Sequence, residues 1–481
     1  MSEADLKDEL AGEARDVLRT GAPESSTESD SLDEDNRLKP EFVRSVKEAL
    51  DDGDSDRVYD LVEPLHPADI ADLFELIDAD ERAPLATAIR DLMGGEVIAE
   101  LNDWVRELLV EALPADVVAD LAEQLETDDA VAMLEDLDHE DQQAVLAEME
   151  PEDRAAIESA LSYPEESAGR MMSRDYVAVP ETMRVGDLVD YLREHRELPT
   201  EFWEVFCVDP MHRPVGACAL SWILRCPRNV PLYDVMARDQ TLIPADMDQE
   251  EVALRFQKYA LISAAVVDTA GRLIGQITVD DVVHIIQEEA GEDALLLSGA
   301  GDGDINQPIL LTVRARLTWL VVNLATAMVA SSVVGLFQGA IARMALLAVL
   351  MPIVSGMGGN AGTQTLAVVV RAIATNQLTS SNTRRMIWRE LRIAMANGTS
   401  LGLLIGGGTW LIFSNPLLGA VIGAAMVINN LVAGLAGILV PVTLDRFNVD
   451  PAVSSAVFVT TATDTMGFFS FLGLAVLTGL A

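Results

Sequence analysis

Long apolar runs in the last third of the chain constrain this fold more than any other feature. Leu317–Phe337 is an uncharged run of 21 residues, which at 1.5 Å per residue can span the roughly 30 Å hydrocarbon core of a bilayer. Further apolar runs follow at Met344–Thr375, Ile393–Phe413, Leu417–Leu444 and Ala452–Leu480. The sequence therefore predicts a transmembrane domain of five helices in residues 317–481.

Charge has the opposite distribution. The 481 residues include 33 Lys and Arg against 78 Asp and Glu, a formal net charge of −45. Residues 317–481 hold seven arginines and four acids, a net charge of +3, so residues 1–316 carry −48. This balance argues against a soluble monomeric enzyme, a secreted disulfide scaffold and a nucleic-acid binder, since a phosphate backbone would repel the chain. Abundant acids with only four lysines are typical of proteins from a salt-loaded, halophile-like cytoplasm.

The basic residues near the predicted spans set their orientation. With the N-terminus inside, most of them lie on the cytoplasmic side, as membrane proteins prefer: Arg314, Arg316, Arg384, Arg385, Arg389, Arg392 and Arg446. Only Arg343 lies outside in this topology. We therefore expect a multi-pass protein of the cell (inner, cytoplasmic) membrane with cytoplasmic N-terminal domains. Because five is odd, we expect the C-terminus outside.

Two parts of different character open the chain. Residues 1–40 are rich in Ser, Glu and Asp and cannot bury enough apolar surface to order themselves, which predicts a disordered acidic tail. Residues 41–163 show helical periodicity and a weak repeat, in which Leu65–Leu73 resembles Leu113–Leu121. This pattern predicts an all-α superhelical N-domain.

Residues 164–290 contain a second repeat. Val266–Asp281 has the pattern of strand, tight turn, strand and helix cap, and Phe206–Leu220 is a degenerate copy. Two such units resemble the tandem cystathionine-β-synthase (CBS) module, an α/β regulatory pair that binds ligands in its clefts. Thr278 and Asp281 match the Thr/Ser-x-x-Asp of ATP-binding CBS modules, so ATP at the pair is one hypothesis and an ordinary helix cap is the other. Residues 291–316 would then form a connecting helix.

The segment Pro352–Thr365 lies in the middle of an apolar run. Its proline removes a helical hydrogen bond and its four glycines weaken the helix, so we predict a break there. Backbone carbonyls freed at membrane depth must face protein or a water-filled path. Asn360 and Gln364, four residues apart on one helical face, would add oxygens beside Gly358 and Gly359. The alternative is that the glycines only allow helices to pack closely.

Asp464 lies near the middle of the last predicted span. A charged Asp at the bilayer centre costs roughly 2.5–3.5 kcal/mol on insertion scales, and such residues usually face a pore or an ion. Thr460 and Thr461 precede it by about one turn and can share its face. Asp450 is either an entry site at the cytoplasmic mouth or a helix N-cap, since Pro451 follows it.

These residues offer oxygen ligands only, which suit hard cations such as Mg²⁺, Ca²⁺ or Mn²⁺ rather than Zn²⁺ or Cu⁺. Mg²⁺ keeps several waters and is held by one or two carboxylates, so a homodimer with two Asp464 side chains on its axis would match a hydrated ion. Transport of Co²⁺, Ni²⁺ or Mn²⁺ is the nearest alternative. A membrane-anchored CBS nucleotide sensor is a less favoured one, and an enzyme is not expected because no catalytic motif is present.

The sequence Pro-x₃-Gly-x-Gly-Gly-Asn-x-Gly-x-Gln, the five spans, the CBS pair and the acidic helical N-domain resemble the MgtE-type magnesium channels. The resemblance covers roughly residues 41–481 in the same domain order. It implies a multi-domain membrane protein that works as a homodimer in the lipid bilayer, with the pore on the two-fold axis. It also implies that Mg²⁺ is held at Asp464 and that Asn360 lies near the cytoplasmic constriction.

The same resemblance implies a cytoplasmic Mg²⁺ sensor, in which the ion bridges acids of the N-domain, the CBS pair and the connecting (plug) helix and closes the pore. The matching acids are Glu96, Asp128, Asp248, Glu250, Asp281, Glu289, Glu292 and Asp293. Ala132, Ala260 and His284 stand where the family pattern has an acid. The alternative is a solvated acidic surface. In concentrated salt, where the Debye length is roughly 3 Å at 1 M, we expect gating to depend on direct coordination.

Overall fold

The computed structural model describes residues 31–135, 137–195, 198–199, 202–298, 307, 309–379, 381–447, 449–453 and 455–480. The chain forms two compact units, one ending at Ile285 and the other beginning at Ile286. The predicted tail lies outside the described residues up to position 30. From residue 31 onward that prediction is wrong, because Leu38 is buried and the Lys39 amide donates to the Ser31 carbonyl at 2.8 Å.

Short helices build the first part of the first unit. In chain order they are α1 (Pro40–Asp51), α2 (Ser55–Val62), α3 (Pro67–Leu76), α4 (Ala79–Ala88), a 3₁₀ turn (Arg90–Leu92), α5 (Gly95–Ala99), α6 (Asp103–Glu111), α7 (Ala115–Ala122), α8 (Thr127–Glu135), α9 (His139–Glu148) and α10 (Pro151–Leu161). Pro67 and Pro151 stand at the first helical positions of α3 and α10, where a missing N–H costs nothing. Leu73, Phe74 and Leu134 are completely buried in the shared core. This all-α part matches the predicted fold class.

Two small sheets with the same topology form the rest of that unit. Its elements are β1 (Ala178–Pro180), α11 (Val185–Glu194), β2 (Glu204–Val208), β3 (Pro214–Ala219), α12 (Leu220–Ile223), α13 (Leu232–Val235), β4 (Leu242–Pro244), α14 (Gln249–Tyr259), β5 (Ser263–Val267) and β6 (Leu273–Thr278). In each sheet the first strand pairs parallel to the second and the second antiparallel to the third. Phe206 and Ala217 of one sheet share a core with Ala265 and Leu273 of the other. The predicted internal repeat is thus a structural repeat.

The hairpin turns of the two sheets are built alike. Asp209 Oδ1 accepts the Met211 and Arg213 amides at 2.8 and 2.9 Å, and Asp268 Oδ1 accepts the equivalent pair in the second copy at the same distances. Gly271 has φ +77° in the second turn, whereas His212 takes the left-handed conformation in the first. A non-glycine residue there carries a backbone cost, one sign of how the first copy has diverged.

The second unit is built of helices. It includes the end of α15 (Val279–Ser298), which begins in the first unit, and six further helices that the structure describes. They are α16 (Ile309–Leu336), α17 (Gln338–Arg343), α18 (Leu346–Ala374), α19 (Thr383–Phe413), α20 (Pro416–Arg446) and α21 (Ser455–Leu477). Within the described residues, α16, α18, α20 and α21 are long and apolar enough to cross a membrane. α19 has 31 residues, but charges in its first part and glycines further on make it less apolar. The count of five spans therefore stays a prediction.

The predicted break in the glycine-rich segment is wrong. α18 runs without interruption from Leu346 to Ala374, with Pro352 inside it. The proline lies early in the helix, so one lost hydrogen bond is tolerated. Two of the glycines further on pack against neighbouring helices: Gly358 faces Asn429 of α20, and Gly362 faces Val459 of α21. Tertiary packing has overridden the low helix propensity of these residues.

Candidate functional site

Asp464 lies on α21, midway along the membrane-spanning unit, and is half-buried. Its Oδ1 accepts a hydrogen bond from the Ser355 hydroxyl of α18. In the part of the chain that the structure describes, no Lys, Arg or His forms an ion pair with this carboxylate. The carboxylate is therefore held by a neutral donor and keeps free lone pairs for a cation.

The two threonines near Asp464 turn their hydroxyls toward their own helix. Thr460 Oγ1 donates to the Ala456 carbonyl at 2.9 Å, and Thr461 Oγ1 donates to the Val457 carbonyl at 2.6 Å. Both side chains are partly exposed in the single chain. Because a hydroxyl that donates to the backbone retains two lone pairs, both oxygens can still accept from the waters of a hydrated ion.

The residues of the α18 motif separate onto two faces. Asn360 and Gln364 are exposed on the same face, as their spacing predicts. Gly358 is buried, and a Cβ there would overlap the Asn429 side chain of α20. Gly359 is half-buried, and a Cβ there would be 4.0 Å from the Thr463 hydroxyl. Gly358 therefore serves close packing, and the two amides form the polar face of α18.

Asp450 is exposed ahead of α21, and its Oδ1 accepts the Ala452 amide at 2.7 Å. The bond closes a turn ahead of α21, which begins at Ser455, so it is not the helix N-cap that the sequence offered as one alternative, and the entry-site role stays a prediction. One carboxylate oxygen remains for other contacts.

Two residues of this region were missed by the sequence reasoning. Ser355 lies inside the quoted motif, and a hydroxyl one turn before Gly359 in an apolar run is a usable signal. Asn429 is completely buried in α20, and its Nδ2 donates to the Val354 carbonyl of α18 at 2.8 Å. The sequence offers only a polar residue in a long apolar run as a hint.

A second cluster lies in the first unit, where the N-terminus of α8 meets the N-terminus of α15. We call it the acidic interface, and its members are Glu126, Asp128, Asp129, Asp280 and Asp281. Nearby, Glu126 bonds the Ser173 side chain, and Glu135 pairs with Arg170 at 3.4 Å. The structure thus brings together Asp128 and Asp281, two of the predicted sensor acids, from the helical domain and the CBS pair.

Four carboxylates of the acidic interface have a raised pKa: Glu126, Asp128, Asp129 and Asp281. Burial, together with the charges of Asp281, Asp129 and Glu126, holds the pKa of Asp128 well above its ordinary value. Burial is also the main cause that raises the pKa of Glu126 to about 7 and that of Asp281 to about 6. Asp128 Oδ1 is buried and has no hydrogen-bond partner in the part of the chain that the structure describes. Such a group is stabilised by a proton or by a cation.

The donor set of the acidic interface fits a hydrated divalent ion. Carboxylate oxygens are the ligands Mg²⁺ prefers, and Mg²⁺ retains several of its waters. Among the described residues, however, no three acids, histidines or cysteines converge closely enough to hold a metal directly. In this arrangement an ion would bind through its waters, which differs from the expected direct coordination.

The remaining predicted sensor acids lie elsewhere. Glu96 is exposed on α5, and Asp248 caps α14, with its Oδ1 accepting the Glu250 amide at 2.9 Å. Glu289, Glu292 and Asp293 lie on α15, and the Asp293 side chain is outside the described part of the structure. His284, also on α15, lies near Asp129, as does Arg106.

Thr278 and Asp281 bond each other at the start of α15. Asp281 Oδ2 accepts the Thr278 amide at 3.1 Å and its hydroxyl at 2.8 Å. The pair therefore forms a helix cap, the second of the two hypotheses for these residues. Ribose binding by the same pair stays a prediction.

Comparisons with known proteins divide the chain in the same way. Three families match: the MgtE intracellular N domain (residues 65–166), the CBS domain (232–288) and the MgtE divalent cation transporter (351–474). The CBS match covers the second repeat only. The magnesium transporter MgtE of Thermus thermophilus is 31% identical over 452 residues, covering 91% of this chain and 98% of that protein. The Enterococcus faecalis magnesium transporter MgtE is 33% identical over 430 residues, 89% of each chain.

One similar solved structure is that of the cytosolic domain of the Mg²⁺ channel MgtE in complex with ATP. It is 28% identical in sequence with a TM-score of 0.47, and the match covers 50% of this chain and 99% of the chain in that structure. The apolar helices, the helical N domain and the CBS domain together define a multi-pass membrane protein with a divalent cation transporter domain. On the extent of these similarities, the chain belongs to the MgtE family.

Proposed function

We propose that this protein is a Mg²⁺-selective channel or transporter for magnesium uptake, working as a homodimer in the cell membrane. Its N-terminal domains would lie in the cytoplasm and its C-terminus outside. The two full-length relatives compared above are named magnesium transporters. The proposal also includes α19 as the fifth span.

One observation carries the proposal: the Asp464 carboxylate sits midway along a membrane-spanning helix with Ser355 as its hydrogen-bond partner and no cationic neighbour among the described residues. An acid kept in that position at a cost of roughly 2.5–3.5 kcal/mol is explained by binding a cation. A carboxylate with neutral neighbours attracts a hydrated divalent ion without trapping it, which suits conduction.

The proposed regulation uses the acidic interface. When internal Mg²⁺ is high, a hydrated ion there would neutralise Asp128 and Asp281 and hold the helical domain against the CBS pair. When Mg²⁺ falls, repulsion among the uncompensated carboxylates would separate the two parts. Glu289, Glu292 and Asp293 of the connecting helix remain part of the proposed sensor, which closes the pore in the occupied state.

Whole-cell Mg²⁺ uptake with internal Mg²⁺ clamped at several levels tests the transport proposal. Asp464→Ala should lower uptake at least ten-fold while expression and dimer formation persist. Asp445→Ala is the matched control, because it removes the same charge from an exposed position at the end of α20, and it should stay within two-fold of the parent protein. Unchanged flux in the Asp464 variant would favour a membrane anchor instead.

The same cells distinguish the cargo. Faster uptake of Co²⁺, Ni²⁺ or Mn²⁺ than of Mg²⁺ would overturn the selectivity while leaving the pore in place. ATP at the CBS pair is a further element of the proposal, since Thr278 and Asp281 have the required residue types. Binding of ATP to the purified protein, lost in Thr278→Ala, would support it.

A further inference from the structure

Asn429 occupies a site where three helices of the membrane-spanning unit meet. Its carboxamide lies between Gly358 of α18 and Gly467 of α21. A Cβ at Gly358 would overlap the Asn429 Nδ2 atom, and a Cβ at Gly467 would lie 2.8 Å from it. Both positions therefore require glycine as long as the amide is present.

The orientation of the amide follows from its contacts. Nδ2 donates to the Val354 carbonyl at 2.8 Å, and Oδ1 is buried without a partner among the described residues. Flipping the amide would place two acceptor oxygens against each other, so the orientation is unambiguous. An apolar side chain would fill the space without leaving a buried acceptor unpaired, so packing alone does not account for an asparagine here.

The contacts of Asn429 flank the hydrogen bond between Ser355 and Asp464. On α18, Val354 directly precedes Ser355, and on α21, Gly467 lies three residues after Asp464. A shift of either helix at the amide would change the distance between the Ser355 hydroxyl and the carboxylate. Asn429 is thus one helical turn from the proposed ion site, on the side away from solvent.

We propose that Asn429 is a positioning residue for Asp464, which fixes the approach of α18 to α21 so that Ser355 holds the carboxylate in place. Asn429 itself does not contact the ion. The role in conduction rests on the proposed function, whereas the geometric role can be tested without transport.

Cross-linking tests the geometry. The full-length protein carries Ser355→Cys and Asp464→Cys together and is oxidised with copper phenanthroline. Mass spectrometry quantifies the peptide that links these two cysteines, so the native cysteines can remain. Adding Asn429→Ala should slow formation of this disulfide at least five-fold. Asn430→Ala is the matched control: Asn430 is also a buried amide of α20, but it donates to its own helix at the Met426 carbonyl, 2.9 Å away. Equal rates in the two variants would overturn the proposal.

Transport kinetics test the consequence. Asn429→Leu keeps nearly the same side-chain shape but lacks the N–H donor, and it should raise the KM for external Mg²⁺ several-fold at an unchanged amount of folded protein. A purely structural role would lower the maximal rate with the amount of folded protein and leave KM unchanged, and that result would count against positioning. If the parent protein carries no Mg²⁺, the proposed function fails, and the cross-linking result still decides the role of Asn429.

A double-mutant comparison adds a second check. Gly358→Ala should lower uptake because of the overlap with Asn429, whereas Gly407→Ala, at a position of α19 that faces open space, should not. In Gly358→Ala/Asn429→Ala the overlap is gone, so the double variant should be no worse than Asn429→Ala alone. If the uptake loss of the double variant equalled the product of the losses of the two single variants, the two residues would act independently, which would contradict a shared site.

Discussion

Individual carboxylates in this protein behave according to what surrounds them. Asp268 accepts two backbone amides and pairs with Arg272 in an exposed turn, and these donors lower its pKa. Glu126 and Asp281 belong to the acidic interface, where burial and like charges raise the pKa instead. Acidic side chains thus accept hydrogen bonds that form a turn at Asp268, whereas in the acidic interface they are groups that a proton or a cation stabilises.

The raised pKa values of Glu126 and Asp281 predict a pH dependence for docking of the helical domain on the CBS pair. When a folded-state pKa lies above the unfolded one, its stabilising contribution is fully present below the unfolded pKa and is lost as pH rises through the folded pKa. Without divalent ions, docking should therefore weaken as pH rises from about 4 to about 7. Hydrogen exchange of the α8 amides, corrected for the intrinsic exchange rate at each pH, measures this weakening of docking. Asp281→Asn should flatten the profile and the exposed Asp246→Asn should not; protection that grows with pH would contradict the explanation.

At the scale of helices, glycines determine how the membrane-spanning unit packs. Gly402 and Gly406 of α19 face Gly423 and Gly419 of α20. Their spacing of four residues places them on one stripe of each helix, so the backbones can approach closely. Helix packing in lipid relies on such contacts because apolar side chains gain little by leaving lipid for protein. α19 can thus pack tightly although it is less apolar than its neighbours.

Alanine substitutions should separate packing glycines from neutral ones. A Cβ at Gly406 would lie 2.6 Å from the Gly419 carbonyl oxygen, whereas one at Gly407 would meet nothing within 4 Å. We expect Gly406→Ala to destabilise the unit by about 1–3 kcal/mol. Gly407→Ala should be neutral or stabilising by about 0.5–1 kcal/mol, since alanine favours helix. Thermal unfolding in detergent, followed by size-exclusion chromatography, compares them; equal melting temperatures would show that the contact is not limiting.

For the whole molecule, the main physical fact is the separation of charge from apolar surface. Residues 1–316 carry −48 and residues 317–481 carry +3. Most acids among the described residues of this part are exposed, and concentrated salt screens their charges. Interactions among the partly buried Asp128, Asp129 and Asp281 of the acidic interface are screened much less. A divalent ion bound there should therefore remain effective where diffuse surface charge is not.

Limited proteolysis in molar KCl examines this proposal. Mg²⁺ at millimolar concentration should slow cleavage of the connecting segment, residues 291–316, several-fold in 0.1 M and in 2 M KCl alike. Asp128→Asn/Asp281→Asn should remove the Mg²⁺ effect at both salt concentrations. Protection that disappears at 2 M KCl would show that general charge screening, rather than a local site, controls the segment.

Much of the architecture could be predicted from patterns of a few residues. The strand–turn–strand pattern in Phe206–Leu220 and in Val266–Asp281 predicted two hairpins, and the structure has β2 with β3 and β5 with β6 there. Short apolar runs and local turn acceptors such as Asp268 determine these elements, so they can be recognised from sequence. The predicted break in the glycine-rich segment was wrong because helix propensity says nothing of the neighbours that pack beside Gly358 and Gly362.

The sequence alone determined the membrane-spanning region, the acidic domains that precede it and the isolated Asp464, because hydropathy, charge and a lone acid are properties of the chain itself. Only the tertiary structure decided which groups meet. It paired Asp464 with Ser355, which lies 109 residues away in the chain, and it placed Asp128 beside Asp281. Such contacts depend on how distant helices pack, and each packing is the sum of many weak interactions that no local pattern records.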